Sequence, residues 1–268
     1  MCRVIAIANQ KGGVGKTTTA TCLGYGLANA GKDVLLIDAD SQGNLTECLG
    51  YQNQDMLPNT LAPLLGSILN DEDVAIEKYI LKETEHLYLI PGNIELSGLE
   101  VTLVNVMSRE RVLSLLIDRL RLDFDYILID CTPSLGMLTV NALTAADSVL
   151  IPVQTAYLPA KGLEQLLKTI NNVKKQLNPR LKVEGILLTM VDKRTNYAKE
   201  IIKVLKDGYE NNIHFFENEI PLSVRASEIT ALGTSIFSYD PKGKIAQSYG
   251  GLTQEIMMIS NKEWKAAI

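Results

Sequence analysis

The chain has 268 residues, of which 46% are hydrophobic, and a formal net charge of −5 at pH 7. This length and composition suffice for one large α/β domain with a well-buried core, and we expect a single domain over residues 1–268. No apolar stretch reaches the roughly 18 residues that a membrane-spanning helix needs. The acidic balance argues against a protein that coats nucleic acid over its whole surface, but it leaves room for a local basic patch.

The N-terminal sequence and the cysteines indicate the cellular compartment of the protein. The N-terminal sequence MCRVIAIANQ enters a glycine-rich loop without a signal-peptide cleavage site. The four cysteines, at positions 2, 22, 48 and 131, show no C-x-x-C spacing. We therefore expect a cytoplasmic protein whose cysteines are buried, reduced thiols rather than disulfides or zinc ligands.

Short runs of aliphatic residues alternate along the chain with amphipathic stretches. The runs predict strands at 3–8, 33–38, 87–90, 126–130, 148–153 and 185–191. The stretches between them predict helices at 16–30, 108–122, 135–146, 161–177 and 196–207. Strands that are covered on both faces need no polar alternation, so the pattern predicts an α/β fold. We expect a doubly wound, mostly parallel sheet with helices on both faces and ligands at the carboxyl ends of the strands.

The least regular segment runs from residue 51 to 85. It contains Pro58, Pro63 and the acidic sequence DEDVAIE. We predict a peripheral helical insertion here rather than a separate domain.

The sequence KGGVGKTT, residues 11–18, lies between the first predicted strand and the first predicted helix. Its glycines let backbone N–H groups converge on phosphate oxygens, and the helix adds the positive end of its dipole. In such a loop Lys16 contacts the β- and γ-phosphates of a nucleotide, and Thr17 ligates Mg²⁺. The predicted phosphate-loop residues are Gly12, Gly13, Val14, Gly15, Lys16, Thr17 and Thr18.

Two residues depart from the usual pattern G-x-x-x-x-G-K-[ST]. Gln10 stands where the first glycine is expected, and Lys11 adds a second cation. Lys11 lies on the strand side of the loop and cannot easily serve the same phosphates as Lys16, so a nucleotide bound by a second subunit is a plausible target. With both lysines, KGGVGKTT resembles the deviant Walker A loop of the ParA and MinD family of ATPases, and NQKGG is similar to its ParA branch. The resemblance implies a nucleotide-sandwich homodimer across which Lys11 reaches.

Two aspartates follow the second predicted strand in LLIDADSQGNLT. Either Asp38 or Asp40 can order a water for attack on a γ-phosphate or hold the Mg²⁺ shell, and the alternative is that both cap the next helix. The segment resembles the family's D-x-D-P-Q-G-N motif, with Ser41 in place of proline. That resemblance implies that Asp40 is the catalytic, water-positioning residue and that Asp38 supports it.

A third aspartate, Asp130, ends the predicted strand in FDYILIDCTPSLG. This is the position from which a Walker B carboxylate reaches Mg²⁺ through water. The sequence resembles the family's D-x-P-P-S-L-G, with Thr132 where proline is usual. The predicted metal-site residues are therefore Thr17, Asp38 and Asp130.

The resemblance extends from about residue 3 to residue 260. By position, Arg194 and Arg225 resemble the arginines with which ParA dimers hold DNA without regard to sequence, and Lys242 and Lys244 would widen that patch. The alternative is that these basic residues are ordinary solvated surface. By the same resemblance, Met190 and Pro221 should lie near the adenine ring. Because the phosphate loop begins within ten residues of the N-terminus, we expect no helix-turn-helix extension and no operator binding.

The resemblance implies a switch ATPase with ATP and Mg²⁺ as cofactors. An ATP-bound dimer would hold double-stranded DNA on the nucleoid, and a ParB-like partner would accelerate slow hydrolysis and release it. A MinD-like membrane switch is the alternative, because QEIMMISNKEWKAAI offers an apolar stripe with lysines. A reductase with an iron–sulfur cluster between subunits is a third class, but Cys131 is its only candidate ligand near the nucleotide.

Overall fold

A computed structural model describes residues 2–155 and 160–267. The strands are β1 (Arg3–Ile7), β2 (Val34–Ala39), β3 (Leu81–Lys82), β4 (Leu87–Ile90), β5 (Tyr126–Cys131), β6 (Ser148–Gln154) and β7 (Lys182–Thr189). The helices are α1 (Lys16–Asn29), α2 (Asn44–Cys48), α3 (Leu61–Leu69), α4 (Glu95–Leu103), α5 (Val112–Leu120), α6 (Met137–Ala145), α7 (Ala160–Gln176), α8 (Asn196–Tyr209), α9 (Arg225–Leu232), α10 (Ile236–Tyr239) and α11 (Lys244–Ala267). Short 3₁₀ turns occupy Gln54–Met56, Ile76–Tyr79 and Arg109–Arg111.

The strands form one sheet in the order β3-β4-β2-β5-β1-β6-β7. All neighbours are parallel except β3, which is antiparallel to β4. The register pairs Ile7 with Asp130 and Asp38 with Asp130. The loops that follow β1, β2 and β5 therefore leave the sheet side by side, at the edge where ligands bind in doubly wound folds.

The central strands are buried on both faces, which is why their sequences lack polar alternation. Along β1, Val4 and Ala6 belong to one core, whereas Ile5 and Ile7 belong to the other. Helices α3, α5, α6 and α7 cover the first face, and α1 and α11 cover the second. The predicted fold class, a doubly wound and mostly parallel α/β sheet, is confirmed.

The structure differs from the prediction in several elements. The segment 108–122 divides into a 3₁₀ turn and the shorter helix α5, and β7 begins three residues before the predicted strand. The helices α2, α4, α9 and α10 and the two-residue strand β3 were not predicted. Gly31 follows α1 with a left-handed backbone, φ 75°, and its N–H donates to the carbonyl of Ala28, an arrangement that commonly ends helices.

The segment 51–85 contains helical turns, as expected, but its helix α3 is not peripheral. Leu61, Leu64, Leu65 and Ile68 of α3 are buried in the same core as the strand residues of the first face. The leucines of α3 cover the part of the sheet around β2. Burial of these leucines holds the segment 51–85 against the rest of the domain. No helix in the described part of the chain combines the length and the apolar character that crossing a membrane requires.

Candidate nucleotide site

The phosphate loop connects β1 to α1 at the carboxyl edge of the sheet. Gly13 and Gly15 have φ values of 69° and 87°, a left-handed conformation that glycine adopts without strain. Gly15 is also the N-cap of α1 and has no side chain to accept the first N–H groups of that helix, so these groups can serve an anion. The loop is fastened to β7 because the Thr189 hydroxyl donates to the carbonyl of Val14 at 2.8 Å.

Lys16 places a buried ammonium beneath this loop. Its residue is 7% exposed, and its Nζ donates to the carbonyl of Lys11 at 3.4 Å. Burial lowers the pKa of Lys16, whereas the negative charges of Asp130 and Asp40 oppose that shift. A buried cation that is held by one carbonyl and near two carboxylates is well placed to bind the phosphates of a nucleotide.

Asp130 and Thr17 meet at the end of β5. The Thr17 hydroxyl donates to Asp130 Oδ2 at 2.7 Å. Asp130 is 1% exposed, and its Oδ1 is buried with no hydrogen-bond partner among the described residues. Burial raises the pKa of Asp130 to about 8, and the charge of Asp38 adds to that increase. A buried carboxylate with an unused oxygen, beside a threonine hydroxyl, fits the oxygen ligands that a hydrated Mg²⁺ prefers.

Both carboxylate oxygens of Asp38 accept hydrogen bonds from residues that follow β2 rather than from the phosphate loop. Its residue is 0% exposed, and its Oδ1 accepts the N–H of Asp40 at 3.2 Å. Its Oδ2 accepts both the N–H and the hydroxyl of Thr46, at 2.8 and 2.7 Å. Burial raises the pKa of Asp38 to about 6, although these hydrogen bonds act in the opposite direction. The geometry therefore favours a role in holding neighbouring loops, and a metal contact through water stays a prediction.

Thr46 was missed by the sequence analysis. It belongs to α2, a helix of five residues that is too short to show a hydrophobic period. The only available signal was a threonine placed eight residues after Asp38, in a short helix that also contains Asn44 and Glu47.

Asp40 lies in the turn that follows β2. Its Oδ1 accepts the N–H of Gln42 at 3.1 Å, and its carbonyl accepts the N–H of Gly43 at 3.0 Å. Its Oδ2 makes neither bond, and its charge acts on both Lys16 and Asp130. The structure thus brings Asp40 to the same site as Lys16 and Asp130, and its Oδ2 takes part in neither hydrogen bond of the turn.

Lys11 contacts its own chain in this structure. Its Nζ lies 3.5 Å from Oε1 of Gln154 at the end of β6, and its N–H donates to Asn9 Oδ1 at 3.0 Å. A cavity of about 230 Å³ adjoins it, lined by Asn9, Gln10, Lys11, Val14, Gln154, Gly162 and Gln165. A role for Lys11 in a second subunit's site stays a prediction.

Met190 precedes a residue that pairs with Pro221, and a place for Met190 and Pro221 near the adenine ring stays a prediction. A β-bridge pairs Val191 with Pro221, and the N–H of Val191 donates to the carbonyl of Ile220 at 3.0 Å. Met190 follows Thr189, the residue that fastens the phosphate loop. The end of β7, which Met190 directly follows, therefore adjoins the phosphate loop, and the segment that contains Pro221 pairs with the chain just beyond it.

The two predicted DNA-binding arginines each form an ion pair with an aspartate. The Arg194 side chain is 88% exposed, and its Nε and Nη2 each donate to one carboxylate oxygen of Asp192 at 2.8 Å. This hydrogen bonding lowers the pKa of Asp192 to about 2. Arg225 forms an ion pair with Asp240, and the N–H of Gly243 donates to the carbonyl of Asp240. Since Lys242 and Lys244 flank Gly243, they share a surface with Arg225.

Comparisons with known proteins show the family to which the chain belongs. A family model described as an AAA domain matches residues 2–183. The chain is 44% identical over 256 residues to the sporulation initiation inhibitor protein Soj of Bacillus subtilis, covering 96% of this chain and 98% of that protein. It is 46% identical over 257 residues to the chromosome partitioning protein ParA of Myxococcus xanthus, covering 95% and 88%.

A solved structure shares the fold over almost the full length of both chains. It is cobyrinic acid a,c-diamide synthase from Mycobacterium smegmatis with bound ADP and magnesium, with a TM-score of 0.84 and 36% identity, covering 100% of this chain and 97% of that one. Its name differs from those of the two partition proteins, so the family assignment rests on the sequence matches. The chain belongs to the ParA/Soj family of partition ATPases.

Proposed function

We propose that the protein is a DNA-partition switch that binds ATP and Mg²⁺, pairs with a second copy, holds DNA without sequence preference and releases it on hydrolysis. One observation carries the nucleotide part of this proposal. The buried, unused oxygen of Asp130 lies beside the Thr17 hydroxyl, in the strand register that also places the phosphate loop there. The relative from Mycobacterium smegmatis, which binds ADP and magnesium, supports the same assignment.

Each residue of the site has its own role in ATP hydrolysis. Lys16, the N–H groups of residues 12–15 and the start of α1 bind the phosphates. Thr17 and Asp130 would hold Mg²⁺, which when bound would neutralise charge on the phosphate oxygens. Asp40 positions the attacking water with the carboxylate oxygen that its own turn does not use. Met190 and Pro221 flank the base.

Lys11 couples nucleotide to dimerisation. In this structure its ammonium lies near Gln154 of the same chain, a weak contact at 3.5 Å. A triphosphate in the facing subunit is an anionic partner for the Lys11 ammonium, and Lys11 moves to it when two ATP-bound copies meet. ATP thereby shifts the population from monomers to dimers.

The DNA contacts come from Arg194, Arg225, Lys242 and Lys244. Each exposed arginine side chain exchanges its carboxylate partner for a phosphate when DNA binds, and ion pairs at the surface contribute little stability. Pairing of two protomers doubles the number of phosphate contacts, so DNA affinity depends on ATP. A ParB-like partner accelerates hydrolysis and so releases the DNA.

The described part of the C-terminal helix favours this function over membrane binding. Ile256 is fully buried in the core of the second face, and Met257 and Ile259 pack against that core. These residues of the apolar stripe therefore serve packing. The side chains of Lys262, Trp264 and Lys265, which completed the predicted membrane stripe, lie outside the described residues.

DNA binding with ATP, ADP and no nucleotide over a salt series tests the proposal. We expect retention of plasmid DNA only with Mg²⁺ and ATP, and an affinity that falls linearly with the logarithm of salt concentration. Parallel samples contain anionic liposomes in place of DNA. Equal DNA binding in all three nucleotide states, or ATP-dependent sedimentation with liposomes instead of DNA, contradicts the proposal.

A further inference from the structure

Thr46 lies at the centre of a buried hydrogen-bond network that joins three segments. Its hydroxyl donates to Asp38 Oδ2 at 2.7 Å and accepts the N–H of Gly92 at 3.0 Å. Its own N–H donates to the same oxygen of Asp38 at 2.8 Å. One threonine in α2 thus connects the end of β2 to the loop that follows β4.

This network has little space in which to rearrange. Thr46 and Asp38 are both 0% exposed. A Cβ atom added to Gly92 would lie 2.4 Å from the Asp38 carbonyl oxygen and 3.0 Å from its Cγ. The loop after β4 therefore packs directly on Asp38, and a lost hydrogen bond leaves an unpaired donor or acceptor in a buried site.

The network leads to the candidate water-positioning residue. The other carboxylate oxygen of Asp38, Oδ1, accepts the N–H of Asp40 at 3.2 Å. The orientation of the Asp38 carboxylate therefore fixes the position of the backbone where the turn that contains Asp40 begins. That turn closes with the bonds from Gln42 and Gly43 to Asp40. A displacement of Asp38 is therefore passed to the Asp40 carboxylate.

We propose that Thr46 is a positioning residue for ATP hydrolysis, acting through Asp38 on Asp40. The inference rests on the proposed function, and specifically on the role of Asp40. The bonds of the Thr46 side chain run to Asp38 and Gly92, and within the described residues none of them reaches the phosphate loop at 11–18. The Thr46 hydroxyl accordingly affects turnover and not nucleotide binding, because a small misplacement of a catalytic group lowers rate more than affinity.

The test compares Thr46→Val, which keeps the size of the side chain and removes the hydroxyl, with Thr46→Ser, which keeps the hydroxyl. For each variant and the unchanged protein, kcat and the Kd for ATP are measured with Mg²⁺, alongside thermal unfolding. We expect kcat of Thr46→Val to fall roughly tenfold or more while Kd changes less than about threefold. Thr46→Ser should restore kcat to within about threefold of the unchanged protein.

Three results would overturn this assignment. One is Thr46→Val with unchanged kcat, and another is a Thr46→Val variant that loses ATP binding together with turnover. A folded Thr46→Ser variant as impaired as Thr46→Val is the third. If Thr46→Val does not fold, Thr46→Ala replaces it with the same expected split between kcat and Kd. An unchanged protein that does not hydrolyse ATP refutes the proposed function itself, which separates the two failures.

Discussion

The nucleotide site and the basic surface differ in what holds their charged side chains. In the nucleotide site, Asp38 is buried and fixed by backbone N–H groups and a threonine hydroxyl. On the basic surface, Arg194 is exposed and, within the described part of the chain, is held by Asp192, two residues away. The hydrogen bonds of Asp38 are part of the fold before any ligand binds. The exposed arginine, in contrast, can exchange its carboxylate partner for water, a salt ion or a polyanion. Substitutions in the buried site should therefore change chemistry, and substitutions on the surface should change a salt-dependent affinity.

Removal of the buried cation should give the largest effect. In Lys16→Ala the phosphates lose their main charged donor, so we expect ADP and ATP affinity to fall by roughly 100-fold or more. Calorimetric titration with each nucleotide measures this loss. Lys32→Ala, a change of the same kind just beyond the other end of α1, is the matched control and should bind normally. A Lys16→Ala variant with ordinary affinity would show that the loop does not cradle the phosphates.

Loss of the Asp40 charge should stop turnover while leaving binding intact. Asp40→Asn keeps an oxygen that can accept the Gln42 N–H, so the turn retains its shape. We expect a steady-state rate of ATP hydrolysis lower by about 100-fold, and DNA-bound protein that persists after ATP addition. Phosphate release and DNA retention over time report the two effects. Hydrolysis at the ordinary rate would remove Asp40 from the mechanism.

Reversal of one surface charge should affect DNA alone. Arg225→Glu places a carboxylate beside Asp240 and opposite the DNA phosphates. We expect DNA retention with ATP to fall by roughly tenfold at low salt, with a shallower salt slope, while ATP binding is unchanged. Arg119→Glu, on the exposed side of α5, controls for net charge. Equal losses in both variants would indicate a general charge effect instead of a DNA-binding surface.

The smallest effect should appear in the stability of the nucleotide-free protein. The folded-state pKa of Asp130 is raised by burial from 3.8 to about 8. In the folded state Asp130 therefore retains its proton while the unfolded chain ionises, and stability present below about pH 4 is lost as pH rises toward 8. Asp130→Asn should flatten this decline and raise the melting temperature in EDTA at pH 8 by a few degrees. Parallel pH profiles for the two proteins would contradict the assignment.

The sequence predicted the sheet and the phosphate loop because local patterns specify both. Aliphatic runs such as residues 126–130 have one favourable environment, the middle of a parallel sheet, and glycine at 13 and 15 matches backbones with positive φ. The burial of α3 was not predicted, because prolines and acidic residues around it suggested an exposed segment. Its leucines became informative only when the sheet they cover was known.

The features of the site that could not be predicted from the sequence depend on contacts between separate segments. Nothing in the spacing of Asp38 and Thr46 shows that the threonine hydroxyl donates to this carboxylate, and the metal role of Asp38 stays a prediction. Arg225 and Asp240 are fifteen residues apart and meet only because α9 and α10 pack together. Patterns identify which groups are present at a strand end, whereas tertiary structure decides which of them remain available to a ligand.

The molar mass of the Asp40→Asn variant with Mg²⁺ and ATP tests the central claim most directly, since this variant should bind ATP without consuming it. Sedimentation equilibrium should give twice the 29.5 kDa of the monomer with ATP and 29.5 kDa with ADP. Adding Lys11→Ala to the same variant should return the mass to that of the monomer while ATP still binds. A monomer in ATP, or a dimer that persists without Lys11, would contradict the account.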